Sequence, residues 1–210
     1  MNKFLKTGIL LVTLAIPVLI WLFLKNFGQN QFALPLYYQE EVPAVLGCKD
    51  LKIPHSVSLR DEGQEYSTSS TLVDIVTVSY LLPETCDDNC QLVLEELANL
   101  QTLFSDHTNF QILVLGSGAQ YTELEVDQLK SQYSANPEFW KFVLIPENQF
   151  SSVFNCGFLL TKTKLSIPLV LTDKDAKIRG YYEALDTDEV ERLKGELKIL
   201  FYMLEAHIYD

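Results

Sequence analysis

An uncharged apolar run from Thr7 to Leu24 opens the chain, between Lys3 and Lys6 on one side and Lys25 on the other. At about 1.5 Å of rise per helical residue it reaches the lower end of the length that spans a bilayer. Pro17 does not exclude a helix there, because helices in lipid tolerate proline. The run ends in Trp21-Leu22-Phe23-Leu24-Lys25, which offers no small-x-small cleavage site. Residues 1–25 are therefore expected to be a transmembrane anchor rather than a cleaved signal peptide. Lys3, Lys6 and the amino terminus outweigh Lys25, which puts the N-terminus in the cytoplasm and the rest of the chain outside. The segment is neither Arg-rich nor amphipathic, so a mitochondrial transit peptide is excluded. The expected location is a bacterial inner membrane, with the main domain in the periplasm.

Beyond the anchor, residues 26–50 carry Pro35 and Pro43 and no sustained period, and read as a tether. Residues 51–210 alternate between two periods. Val57 and Leu59, followed by Asp61-Glu62-Gly63, suggest a hairpin. Leu72 to Leu82 is apolar and β-branched, as a strand buried on both faces would be. Val93, Leu97, Leu100 and Phe104 then share a helical face. Phe110–Leu115 predicts a second strand, and Thr122-x-x-Glu125 is a capping-box signature opening a helix with Val126, Leu129 and Tyr133 on one face. Short strands follow at 142–145 and 167–171. A hairpin runs through Asp173 to Tyr182, and a final helix begins near Thr187 with Val190, Leu193, Leu197 and Leu200 aligned. This order predicts an α/β fold with a mixed central sheet.

Charge narrows the partners. The chain has 16 Lys+Arg against 28 Asp+Glu, and without Lys3, Lys6 and Lys25 the remainder keeps 13 against 28, or −15. Such a surface repels nucleic acid and anionic lipid. The four cysteines of an exported chain suit disulfides. Cys86 and Cys90 form a local pair, and Cys48 and Cys156 are left as a candidate second disulfide.

The chemistry concentrates in Cys86-Asp87-Asp88-Asn89-Cys90, where the strand gives way to the helix. Thiols at a helix N-terminus gain thiolate character from the backbone N–H groups and the helix dipole. They can exchange with a disulfide or hold a soft metal such as copper(I); a plain disulfide closing the loop is the alternative. Asp87 and Asp88 oppose thiolate formation. His55 reads as a surface or edge residue, and His107 as sitting at a helix C-terminus. Asp173 and Asp175 are turn residues, Trp140 reads as core, and Gly116-Ser117-Gly118 lacks the lysine of a phosphate loop.

Two features resemble the thioredoxin fold: the cysteines after a central strand, and Ile167-Pro168 opening the next-to-last strand, which makes Pro168 a candidate cis-proline. The anchor, Ile53-Pro54-His55-Ser56-Val57, the Cys-x-x-x-Cys, Tyr121-Thr122-Glu123, Pro137-Glu138-Phe139-Trp140 and DKDAKIRGYY from Asp173 together resemble the Sco/SenC family. The resemblance implies a membrane-anchored thioredoxin-like domain acting in assembly of the copper centre of cytochrome c oxidase. It implies thiol–disulfide oxidoreductase chemistry or copper handling at Cys86 and Cys90, with an oxidase copper-centre subunit or a periplasmic thiol protein as partner. It also implies a histidine ligand before the penultimate strand, where this chain has Leu165, and prolines after each cysteine, where it has Asp87 and Gln91. Those departures favour thiol chemistry over copper; a non-catalytic scaffold with a structural Cys86–Cys90 disulfide is the second expectation.

Overall fold

The structure is a computed structural model that describes residues 12–23, 34–42, 44–45, 48, 51, 53–57, 59–61, 64–65 and 72–206. Residues 12–23 form helix α1, whose apolar side chains lie exposed, Leu14 and Phe23 by 64% and 62%. The other residues of the expected anchor lie outside the described residues. Among the described residues no helix is long and apolar enough to cross a membrane. The chain from Leu34 onward is a separate compact unit.

That unit begins inside the expected tether. The Tyr37 N–H donates to the Ile178 carbonyl (3.0 Å), and the Tyr37 ring meets Tyr181 edge-on at 5.4 Å. The expected hairpin follows as β1 (Arg60–Asp61) and β2 (Gln64–Glu65), paired antiparallel.

The main sheet has five strands: β3 (Val76–Leu81), β4 (Phe110–Ser117), β5 (Trp140–Ile145), β6 (Pro168–Thr172) and β7 (Ile178–Glu183). Their order is β5-β4-β3-β6-β7. β3, β4 and β5 run parallel, while β6 and β7 are antiparallel to their neighbours. Parallel neighbours require crossovers. α2 (Asp88–Leu103) joins β3 to β4, and α3 (Glu123–Gln132) joins β4 to β5. α5 (Thr187–Glu205) closes the chain.

Period-two alternation splits the core into two layers. Phe110, Ile112 and Val114 of β4 pack with Val93, Leu97 and Leu100 of α2 and with Leu193, Leu197 and Leu200 of α5. Leu113 and Leu115 face the other way, towards Val57, Leu59, Phe158 and Ile178. The predicted strand at Leu72–Leu82 is shorter, because Asp74 takes a left-handed conformation (φ 65°) and its N–H donates to Lys174 O. Asp is among the few residues that tolerate that conformation. The predicted capping box is formed: Glu125 N donates to Thr122 Oγ1 (3.3 Å) and Thr122 N to Glu125 Oε2 (2.8 Å).

Candidate functional site

Asp87 sets where α2 begins. Its Oδ1 accepts the Cys90 N–H at 3.0 Å and its backbone carbonyl accepts that of Gln91, so it serves as the N-cap. Cys90 is thereby locked into the first turn of α2, 1% exposed. Cys86 lies just before the cap and is half-buried. The two form a disulfide with Cα atoms 5.0 Å apart. The loop before them is held from β4's side: the Tyr121 hydroxyl donates to the Pro83 carbonyl at 2.7 Å. Burial, then the charges of Glu125 and Asp87, raise the Tyr121 phenol pKa above its usual value. Burial, followed by Tyr121 and Asp87, raises that of Tyr80 as well.

Beside the disulfide lies a cleft of about 450 Å³. It sits outside the carboxyl ends of β3, β4 and β5, marked by Leu82, Ser117 and Glu147, with Cys90 in its wall. That is where open sheets with parallel strands place ligands, where the strand order reverses. Its far wall comes from α4 (Glu147–Ser152) and the wide-turned segment Val153–Gly157, through Phe150 and Phe154. The sequence reading left residues 146–157 without an element. The signal was present in Pro146 at the helix start and in Phe150 and Phe154 four residues apart.

Cys156 of that segment is bonded to Cys48, with Cα atoms 5.5 Å apart. The second disulfide thus ties the wall of the cleft to the N-terminal lead-in.

Pro168 lines the cleft but is not a cis-proline; the cis bond among the described residues is Ile53–Pro54. The trans arrangement keeps the Ile167 carbonyl in the ladder, where it accepts the Ala184 N–H at 2.9 Å. Pro168 opens β6 opposite Glu183, a strand-end position that suits a residue without an N–H. The Glu183 carboxylate takes the two preceding donors, Ser166 N at 2.6 Å and Ile167 N at 2.9 Å. Nothing in the sequence pattern pointed to this clamp.

Leu165, where the resemblance implies a histidine, lines the same cleft as Cys90. No histidine lines it. His55 is buried rather than at an edge, its Nε2 2.8 Å from the Gly157 carbonyl. His107 lies beyond the C-terminus of α2 and stacks on Phe201 at 3.9 Å. Trp140 is core, as expected. Asp173 is buried at 0% exposure and bound to Arg179 Nε at 2.6 Å, which makes it a hairpin brace as well as a turn residue. Among the described residues no three His, Cys, Asp or Glu side chains are grouped to hold a metal. A two-sulfur, no-imidazole donor set does not fit the copper site that the resemblance implies.

The mixed sheet and the cysteine pair at the start of α2 define a thioredoxin-like fold. Solved structures with this fold include a SCO1/SenC family lipoprotein from Bacillus anthracis str. Ames, at 13% identity and TM-score 0.54 over 62% of this chain and 84% of that one. They also include BsSco, a member of the Sco family of cytochrome c oxidase assembly proteins with a disulfide switch, at 12% identity and TM-score 0.53 over 62% and 83%. No protein-family model and no curated protein matches the chain.

Proposed function

We propose that this chain is a divergent protein of the Sco/SenC type, anchored in a bacterial inner membrane by its N-terminal segment. Its domain faces the periplasm and exchanges thiols and disulfides through Cys86 and Cys90 during respiratory oxidase assembly. The observation that carries this reading is the asymmetry of the pair. Cys86 is half-buried just before the N-cap, while Cys90 is buried in the first turn of α2 and lines the cleft. The exposed apolar side chains of α1 support the anchor, and the fold shared with Sco proteins supports the setting.

The chemistry follows from that asymmetry. A partner thiolate attacks Cys86 Sγ, the Cys86–Cys90 bond breaks, and Cys90 leaves as a thiolate stabilised by the first turn of α2. The partner's second thiolate then attacks its own sulfur in the mixed disulfide, and Cys86 leaves. The partner ends with a disulfide, this chain with two thiols, and two electrons have moved onto it. The protons lost by the partner thiols return to Cys86 and Cys90 through solvent. Run backwards, the same steps reduce a partner disulfide at the expense of the reduced chain. No step passes through copper: the cleft presents Leu165 where the resemblance implies a histidine ligand, and no histidine lines it.

A strain carrying Cys86→Ser and Cys90→Ser tests the role. Lower oxidase activity and lower copper in the purified oxidase are expected. Unchanged respiration and copper content would contradict the assignment.

A further inference from the structure

The cleft is lined by apolar and acidic side chains. Phe150 and Phe154 of the far wall, with Leu160 and Leu165, make the lining apolar, and Glu84, Asp87 and Glu147 line it as exposed acidic residues. No Lys or Arg lines it; Lys162 and Lys164 are exposed on the neighbouring segment and are not among its lining residues. The main-chain donors beside it are already used, because Ser166 N and Ile167 N both go to the Glu183 carboxylate. A partner that docked by adding a strand here would find no free N–H at those positions. Recognition is left to side chains: apolar surface to cover and negative charge to match.

Resting on the exchange reading above, we propose that the partner presents a cysteine next to a large apolar side chain, flanked by lysine or arginine. The apolar group fills the cleft beside Cys90, and the basic residue meets Glu84, Asp87 and Glu147. Covering apolar surface on both partners orients the incoming sulfur at Cys86. The surrounding acidic domain raises the encounter rate with a basic segment.

The test uses the oxidised full chain in detergent and short synthetic dithiol peptides. The peptides differ only beside the first cysteine: Phe with Lys, Ser with Lys, or Phe with Glu. Their oxidation rates are compared with that of dithiothreitol. The Phe–Lys peptide is expected to react about ten-fold faster than either of the others. Leu165→Asn and Phe150→Ser should each bring the Phe-to-Ser rate ratio towards one. Glu84→Gln with Glu147→Gln should shrink the preference for Lys over Glu, leaving the part due to Asp87 and the acidic domain, and high salt should erase it. Leu124→Ser, on the exposed side of α3, should change none of these ratios. Equal rates for all three peptides, with dithiothreitol still oxidised, would overturn the proposed partner chemistry and leave exchange standing. Failure to oxidise dithiothreitol would overturn the exchange reading and this proposal with it.

Discussion

Asp87 carries two separable duties, and substituting it should split them. Its side chain caps α2 through the Cys90 N–H at 3.0 Å, and its charge sits within one residue of Cys86. Asp87→Ala removes both; Asp87→Asn keeps an acceptor and removes only the charge. Loss of an N-cap costs about 1 kcal/mol, which for a domain of this size lowers Tm by about 2–4 °C. Asn caps nearly as well as Asp, so Asp87→Asn should stay within about 0.5 kcal/mol of wild type. The charge effect is independent of the cap. A unit charge about 6 Å away in near-bulk water interacts by about 0.7 kcal/mol, or about half a pKa unit. Both variants should therefore lower the Cys86 thiol pKa by about that amount. Urea unfolding followed by circular dichroism reads the first effect. The pH dependence of iodoacetamide alkylation at Cys86 in the reduced protein, resolved by mass spectrometry, reads the second. Equal destabilisation by both variants, or an unchanged Cys86 profile, would refute the division of roles.

Other parts of the structure give further expectations. Replacing Cys48 and Cys156 with serine opens a loop spanning 108 residues and should cost up to about 4.7 kcal/mol by the chain-entropy account, measured by urea unfolding; no loss would mean the bond constrains nothing. Glu183→Ala should cost about 1–3 kcal/mol and speed hydrogen exchange at the Ser166 and Ile167 amides, since both lose a charged acceptor. Stability should also fall on the alkaline side. Burial is the largest cause raising the phenol pKa values of Tyr80, Tyr181 and Tyr182, so the folded state holds protons that the unfolded chain releases above about pH 10. The contribution is complete below that pH and is lost above it. Tyrosinate absorbance should therefore show these residues titrating only as circular dichroism reports unfolding.

Much of the fold was legible because its elements depend on local pattern. Leu113 and Leu115 alternate with Ile112 and Val114, the α2 face repeats at helical spacing, and Thr122 with Glu125 forms a cap from residues three apart. The cysteine pair was legible for the same reason: the junction and the spacing lie within five residues, whereas the Asp87 cap emerged only in the structure. What escaped depends on contacts between distant positions. Glu183 reaches Ser166 and Ile167 across β6 and β7, directly before a trans Pro168 in a place where the resemblance suggested cis. His55 looked like an edge residue until the chain brought Gly157, 102 residues away, to its imidazole. The short α4 offered only Pro146 and the Phe150–Phe154 spacing as signals, since six residues carry too little period to stand out.

In the proposed exchange, Cys86 is the sulfur that meets partners and Cys90 the one that resolves them. The most direct measurement incubates reduced full-length Cys90→Ser and Cys86→Ser chains with glutathione disulfide and locates the adducts by mass spectrometry. A stable glutathione adduct is expected at Cys86 in the first chain, and an adduct at Cys90 in the second that forms at least about ten-fold more slowly, as thiol access dictates. Equal rates at the two sulfurs, or no adduct at Cys86, would contradict it.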